Sequence, residues 1–323
     1  YLWLLKRKRK QTVSFSAVSW ILQNMETPSP WRRHVPPALL ALALALLLFA
    51  SARPMAVVLV TGRVAAWALS AKALASAVQG QAQVVSGAFE HLFGLQQKGL
   101  GYQAFVQLAR TPQLSLGVST RLNARSVMAL KGTRVGVTAL QSSTHFMVCH
   151  WLMQNGLLPE DVVFVEVGSS ASVVDALRSG AIDALCHSDP IMYGLEQRNE
   201  IRLLGEARTL VASRKLMGGP VSGTCLWARS DYLQKQPELT QALSDAVVHA
   251  LKWLQTAGLT DVLKTVPSTH WEGDRAIYLG AFEKLRESFA LDGLFSAEAV
   301  ANAWHAYNRL PDRPVGVRPV LAS

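Results

Sequence analysis

The chain has 323 residues, 50% of them hydrophobic and 17% charged. That apolar content can furnish the cores of two medium globular units, and it excludes collagen-like, fibrous and largely disordered chains. The formal net charge is +10, but residues 1–52 hold seven basic residues against Glu26 alone, so that segment carries +6 and the other 271 residues only +4; the body of the chain is not a basic nucleic-acid binder.

In chain order, the Lys6–Lys10 run stands ahead of Met25, the first methionine, and reads as sequence upstream of an export signal. From Met25 a stretch with Arg32 and Arg33 leads into the apolar run Ala38–Phe49 and then Ala50-Ser51-Ala52. A basic lead, an apolar run and an A-x-A site together make a cleavable secretory signal. The run is shorter than the roughly 20 residues that a membrane-spanning helix needs. Cleavage after Ala52 and a periplasmic location are expected.

Strands and helices then alternate. The pattern predicts a strand at Val84–Val85, an amphipathic helix over 88–98, and strands at Tyr102–Leu108, Leu114–Val118 and Arg134–Thr138. A helix from Thr144 to Asn155 is stopped by Gly156, a strand spans Val162–Val167, and a helix over 171–179 ends at Gly180. Strands at Ile182–Cys186 and Ile201–Leu204 flank a helix near Ile191–Arg198. After the strand Thr224–Arg229 the helical period takes over, at 237–257, 274–289 and 297–309. This is an α/β chain with largely parallel sheets and a helical C-terminal third. An internal echo supports two lobes: Ala73–Ser86 and Val174–Ser188 each read as helix, Gly, strand, Ser. Open α/β sheets take ligands at such strand ends.

The segment Gly136–His145 carries the sharpest local signal. A strand ends, a small polar loop follows, and a helix starts with Ser143 or Thr144 as its N-cap. The unpaired N–H groups and positive dipole end of that first turn suit an anion or a carbonyl-rich ligand, although an ordinary capped helix has the same spacing. No GxxxxGK[ST] pattern is present, so nucleoside triphosphates are not indicated. In the other lobe Val85–His91 makes the matching turn. Gly87 could admit a ligand to the backbone, and Phe89 could stack on it or belong to the core. Glu90 and His91 read as solvated. Asp189 could receive a ligand N–H or cap the next helix, with Pro190 as its first residue.

Catalytic and metal patterns are missing. The sequence has no G-x-S-x-G or H-E-x-x-H segment. His145 and His150 are five apart, a poor helical spacing for a metal, and His150 is expected at the surface. Cys149, Cys186 and Cys225 lie far apart with no CxxC pair, which argues against a disulfide scaffold or a zinc site. No cofactor is indicated. Trp227, Trp253, Trp271 and Trp304 stand singly and read as core or surface anchors.

The segments Gln83–His91, Leu130–Phe146 and Val173–Met192 resemble, in this order, the periplasmic substrate-binding proteins of nitrate/sulfonate/taurine-type ABC transporters, a group that also includes thiamine-pyrimidine-precursor binders. The similarity extends over about 73–311. It implies two α/β lobes of the periplasmic-binding-protein type: lobe one from 53–118 and 222–323, lobe two from 119–221. By resemblance, Ser86, Gly87 and Phe89 face the ligand from lobe one. Ser142, Ser143, Thr144 and His145 face it from lobe two, with Asp189 and Pro190 at the neighbouring strand end. Residues 53–78 are too short to carry the strands, loop and helix that the family places there, so lobe one is expected to be incomplete. The implied role is a monomeric, non-enzymatic binder of a small solute, anionic and sulfonate- or nitrate-like, that delivers it to a membrane permease with its ATPase. An enzyme on the same fold and a receptor's sensing domain are the alternatives.

Overall fold

The computed structural model describes residues 57–58, 64–66, 78–79, 82–170, 172–268, 271 and 274–310. The expected signal segment, Ala38–Ala52, and Gly80 of the internal echo lie outside them.

Among the described residues ten strands form two five-stranded sheets. The first contains β1 (Val57–Val58), β2 (Val64–Ala66), β3 (Val84–Ala88), β4 (Tyr102–Gln107) and β10 (Thr224–Arg229), in the order β1-β2-β3-β10-β4. The second contains β5 (Leu114–Ser119), β6 (Arg134–Val137), β7 (Val163–Glu166), β8 (Ala184–Ser188) and β9 (Ile201–Glu206), in the order β7-β6-β8-β5-β9. Pairs β2/β3, β6/β7 and β6/β8 are parallel. In each sheet one strand is inserted antiparallel to both its neighbours: β10 between β3 and β4, and β5 between β8 and β9. The sheets are therefore mixed, because each lobe contains a strand that arrives by crossing from the other.

Lobe one was expected to be short of strands, yet its sheet reaches five by adding two very short ones, β2 alongside β3 and β1 antiparallel to β2. The strand Leu114–Val118, read from the sequence as the end of lobe one, extends to Ser119 and pairs with β8 and β9 in the second sheet, so the first crossing is at 108–113. The second crossing, at 218–223, touches it. Gly223 N–H donates to Ala109 O at 2.9 Å, and a Cβ on Gly223 would lie 1.7 Å from the Thr111 carbonyl oxygen. Only glycine fits this contact. A third segment, 286–290, straps the first crossing: Arg110 donates to the Glu287 and Phe289 carbonyls, and Gln113 Nε2 donates to Ser288 Oγ at 2.7 Å.

Among the described residues ten helices cover the sheets: α1 (His91–Gln97), α2 (Ser143–Gln154), α3 (Val173–Ser179), α4 (Ile191–Gln197), α5 (Leu210–Met217), α6 (Ser230–Lys235), α7 (Pro237–Thr256), α8 (Leu259–Thr265), α9 (Arg275–Leu285) and α10 (Ala297–Asn308). The echo's Gly180 ends α3 at φ 78°. Helices α5, α6 and α8 were not foreseen. Ala88 belongs to β3, not to the helix that follows. On α7, Ala246, Val247, Ala250, Leu251 and Leu254 form the buried stripe, in one core cluster with Val84, Ala88 and Val106 of the first sheet. Among the described residues no helix is long and apolar enough to cross a membrane.

A buried charge ties these parts together. Arg208, between β9 and α5, is 0% exposed and reaches Asp189 at 3.1 Å, Glu196 at 3.0 Å and Glu206 at 3.0 Å. Lys284 of α9 joins Glu196 at 3.2 Å. The Arg208 carbonyl accepts from Thr111 Oγ1 in the first crossing at 3.2 Å. Replacing Arg208 with Ala leaves Asp189 buried without its partner, and denaturant unfolding is expected to show a loss of about 3–5 kcal/mol.

Two histidines are held neutral. His150, expected at the surface, is 9% exposed, because α2 turns that face towards α5 and α10. Burial, then the nearby Arg309, lower its pKa to about 4; burial lowers that of His187 to about 4 as well. The unfolded chain, titrating near 6.5, therefore binds more protons below that pH than the native state does. The stability these groups contribute is full above pH 6.5 and lost as pH falls towards 4. The loss is on the order of 3 kcal/mol for each histidine at complete titration. Denaturation curves between pH 7 and 4 should show this decline, and His150→Gln should reduce its slope.

Candidate functional site

The start of α2 is built on the end of β6. Thr138 N–H donates to Thr144 Oγ1 at 2.9 Å, and Thr138 Oγ1 donates to Ser142 Oγ at 3.0 Å. Ser142 Oγ donates to Ala139 O at 2.7 Å and accepts from His145 N–H at 3.4 Å. Ser142 is thus the N-cap, one residue earlier than the sequence reading placed it, because its hydroxyl reaches the third N–H of the helix while its backbone stays extended. Ser142 and Thr144 spend their hydroxyls on the loop itself.

Ser143 differs. It is 1% exposed, and its hydroxyl oxygen has no hydrogen-bond partner among the described residues. The backbone N–H groups of Ser143 and Thr144 likewise have no acceptor there. Ser143 lies one turn before Phe146 on the same helix face. Phe146 belongs to the core cluster of lobe one and meets Tyr307 of α10 at 6.0 Å between ring centroids. The start of this 12-residue helix therefore holds a hydroxyl and two backbone N–H groups without a partner among the described residues, at its positive end and one turn before the contact with lobe one at Phe146.

The loop before this helix is bent. Gln141 has φ 62°, a left-handed conformation that costs a non-glycine residue roughly 1–2 kcal/mol. Leu140 N–H donates to Glu166 Oε1 at 2.6 Å, and Gln141 N–H donates to His145 Nδ1 at 3.3 Å. The His145 ring stands edge-on to Phe164, 4.4 Å between centroids. Its Nε2 lies 3.8 Å from Cys149 Sγ.

The other expected site residues have structural surroundings. Ser86 and Gly87 lie within β3, flanked by β10, and not in the turn after it. The Ser86 hydroxyl is buried, with no partner among the described residues. A Cβ on Gly87 would lie 3.2 Å from Trp227 Nε1, so the glycine makes room for the indole. Phe89 is 0% exposed and packs on Phe93 and Phe295 at 5.5 and 5.6 Å; it is core, because the turn points it inward. His91, expected in solvent, is 8% exposed. Asp189 accepts from Tyr193 N–H at 2.9 Å and pairs with Arg208. Burial raises its pKa, against the opposing guanidinium. It thus caps α4 and anchors Arg208. The Asp189–Pro190 peptide is cis, and Pro190 borders a groove of about 590 Å³ lined by α3, α4, Trp271, Asp274 and Ile277 of α9.

Beside α2, residues Glu90, Phe146, His150, Ser222 and Tyr307 line a cavity of about 40 Å³, room for a water or two. Among the described residues no group of three His, Cys, Asp or Glu side chains could hold a metal ion. Sequence reasoning missed Arg208, Glu166 and Thr138. Arg208 gives no local signal, since Asp189 and Glu196 lie 19 and 12 positions away and Thr111, which bonds its carbonyl, 97. Thr138 could have been found from its place six residues before Thr144 across the loop.

The family model described as the NMT1-like family matches residues 44–265. No curated protein matches the chain. Among solved structures, a protein from Bordetella bronchiseptica RB50 is 36% identical over 87% of each chain, with a TM-score of 0.76. The alkanesulfonate-binding protein SsuA from Xanthomonas axonopodis pv. citri, bound to MOPS, is 19% identical, with 74% of this chain and 80% of that chain covered and a TM-score of 0.59. The periplasmic aliphatic sulphonate binding protein SsuA from Escherichia coli is 17% identical, with coverages of 80% and 82% and a TM-score of 0.58. The fold is that of the periplasmic binding proteins, as the sequence resemblance implied. On the extent of the family match and the identity to the Bordetella protein, the chain belongs to the NMT1-like family.

Proposed function

We propose that the protein is the extracytoplasmic solute-binding component of an ABC importer, a monomer that captures a small anionic solute between its lobes and passes it to a membrane permease with its ATPase. The observation that carries this reading is the start of α2: the unpartnered Ser143 hydroxyl and the free N–H groups of Ser143 and Thr144, buried at the lobe boundary. Three donors converging at the positive end of a helix favour an oxyanion, since hydrogen bonds to a charged acceptor contribute roughly 1.5–3 kcal/mol each. The sulfonate ligands in the names of the two SsuA proteins support the same class.

The mechanism is capture by closure. A solute that touches both lobes binds the closed arrangement more tightly and shifts the population towards it. On this reading no bond is made or broken, and the export signal expected at Ala38–Ala52 supports action outside the cytoplasmic membrane. Within the site, Ser142 and Thr144 shape the loop, while Ser143 and the free N–H groups meet the ligand. Gly87, Phe89 and Asp189 serve packing and pairing.

A thermal-shift screen of alkanesulfonates, nitrate, carboxylates and pyrimidines should give its largest stabilisation with a sulfonate or nitrate. Titration calorimetry of Ser143→Ala with the best ligand should then show about tenfold weaker binding, the equivalent of about 1.4 kcal/mol. The melting temperature of the ligand-free variant should hardly change, because the hydroxyl makes no bond within the described protein. Stabilisation by pyrimidines alone, or unchanged affinity in Ser143→Ala, would remove the helix start from the site.

A further inference from the structure

We propose that Glu166 and His145 are positioning residues that hold the bent loop before α2 in its ligand-ready shape; the inference rests on the reading of that helix start as the solute site. Two consecutive amides, Leu140 and Gln141, donate to side chains and not to backbone: the first to Glu166 Oε1 at 2.6 Å, the second to His145 Nδ1 at 3.3 Å. Between them they hold Gln141 at φ 62°. A glutamine relaxes out of that conformation unless its surroundings over-determine it.

One strand fixes both supports. Glu166 is the last residue of β7 and sits opposite Val137 of β6, so the register delivers its carboxylate beside the chain as it leaves β6. Phe164, two residues earlier on β7 and thus on the same face, carries the edge-on contact with the His145 ring at 4.4 Å. The strand fixes the carboxylate directly and the imidazole through the phenyl ring. As the acceptor from Gln141, His145 Nδ1 is unprotonated, and the ring's proton lies on Nε2, towards Cys149 Sγ. The turn at Ala139–Ser142 then presents Ser143 and its neighbouring N–H groups at the boundary between the lobes. Neither Glu166 nor His145 needs to touch the solute for this.

The test uses the full chain. Amide hydrogen exchange at Leu140 and Gln141 is read by NMR without ligand, and ethanesulfonate binding is read by calorimetry. Glu166→Ala should speed exchange at Leu140 by about tenfold or more and weaken ethanesulfonate binding by a similar factor. Glu166→Gln keeps an acceptor oxygen in place and should restore both. His145→Ala should speed Gln141 more than Leu140. Unchanged exchange at Leu140 in Glu166→Ala would overturn the proposal. So would faster exchange with unchanged affinity, or a Glu166→Gln variant as impaired as Glu166→Ala. If the unaltered protein does not bind ethanesulfonate, the sulfonate reading fails by itself, and the exchange results still decide whether the two side chains hold the loop.

Discussion

A guanidinium with no exposed surface is affordable only when its neighbours supply opposite charge, and Arg208 has three carboxylates within about hydrogen-bond reach. Its place explains why so many connections converge there. Glu206 ends β9, Asp189 precedes α4, Glu196 lies near the end of α4, and Lys284 arrives from α9. Through its carbonyl the same residue grips Thr111 in the first crossing. One buried cation thereby sets the second sheet, the crossing between lobes and a C-terminal helix against one another. Asp189 is committed to that arrangement, and a carboxylate so committed cannot also follow a ligand.

The hydroxyls at the head of α2 divide in the same manner. Thr138, Ser142 and Thr144 bond among themselves within 3.0 Å, closing a small ring that shapes the loop. Ser143, in the midst of them, is left out of that ring. A buried polar atom without a partner is costly in a folded protein and rare unless something else completes it. The asymmetry between four neighbouring hydroxyl residues separates a structural cap from a candidate contact more sharply than their sequence does.

Much of the architecture was legible because strand and helix periods survive in the sequence: β4, β10 and α7 follow their patterns to within a residue or so. The α2 start was legible too, as a strand, a small polar loop and a capping residue. What could not be read were relations set by distant parts of the chain. Phe89 looks like an aromatic at a glycine turn until Phe295 is seen packed on it. Gly87 looks like ligand access until Trp227 occupies the space. The allegiance of β5 to the second sheet depends on pairing with β8 and β9, which its own residues do not encode. Glu166 resembles any exposed strand-end carboxylate until the register with Val137 brings it to Leu140.

The C-terminal helices have a consequence for where the folding unit ends. Residues matched by the family model stop at 265, ahead of α9 and α10. Yet Trp304 and Tyr307 of α10 pack on Phe93 at 5.2 and 5.1 Å, and Tyr307 also meets Phe146. Lys284 completes the charged cluster around Arg208 from α9. A fragment trimmed to the homologous boundary would uncover aromatic surface on both lobes at once and strip a cation from a carboxylate-rich cluster. The span of the family model is thus shorter than the unit whose aromatic and charged contacts are complete. Phe93 and Phe146 would be the first residues to betray the difference, as sticky surface on an otherwise familiar domain.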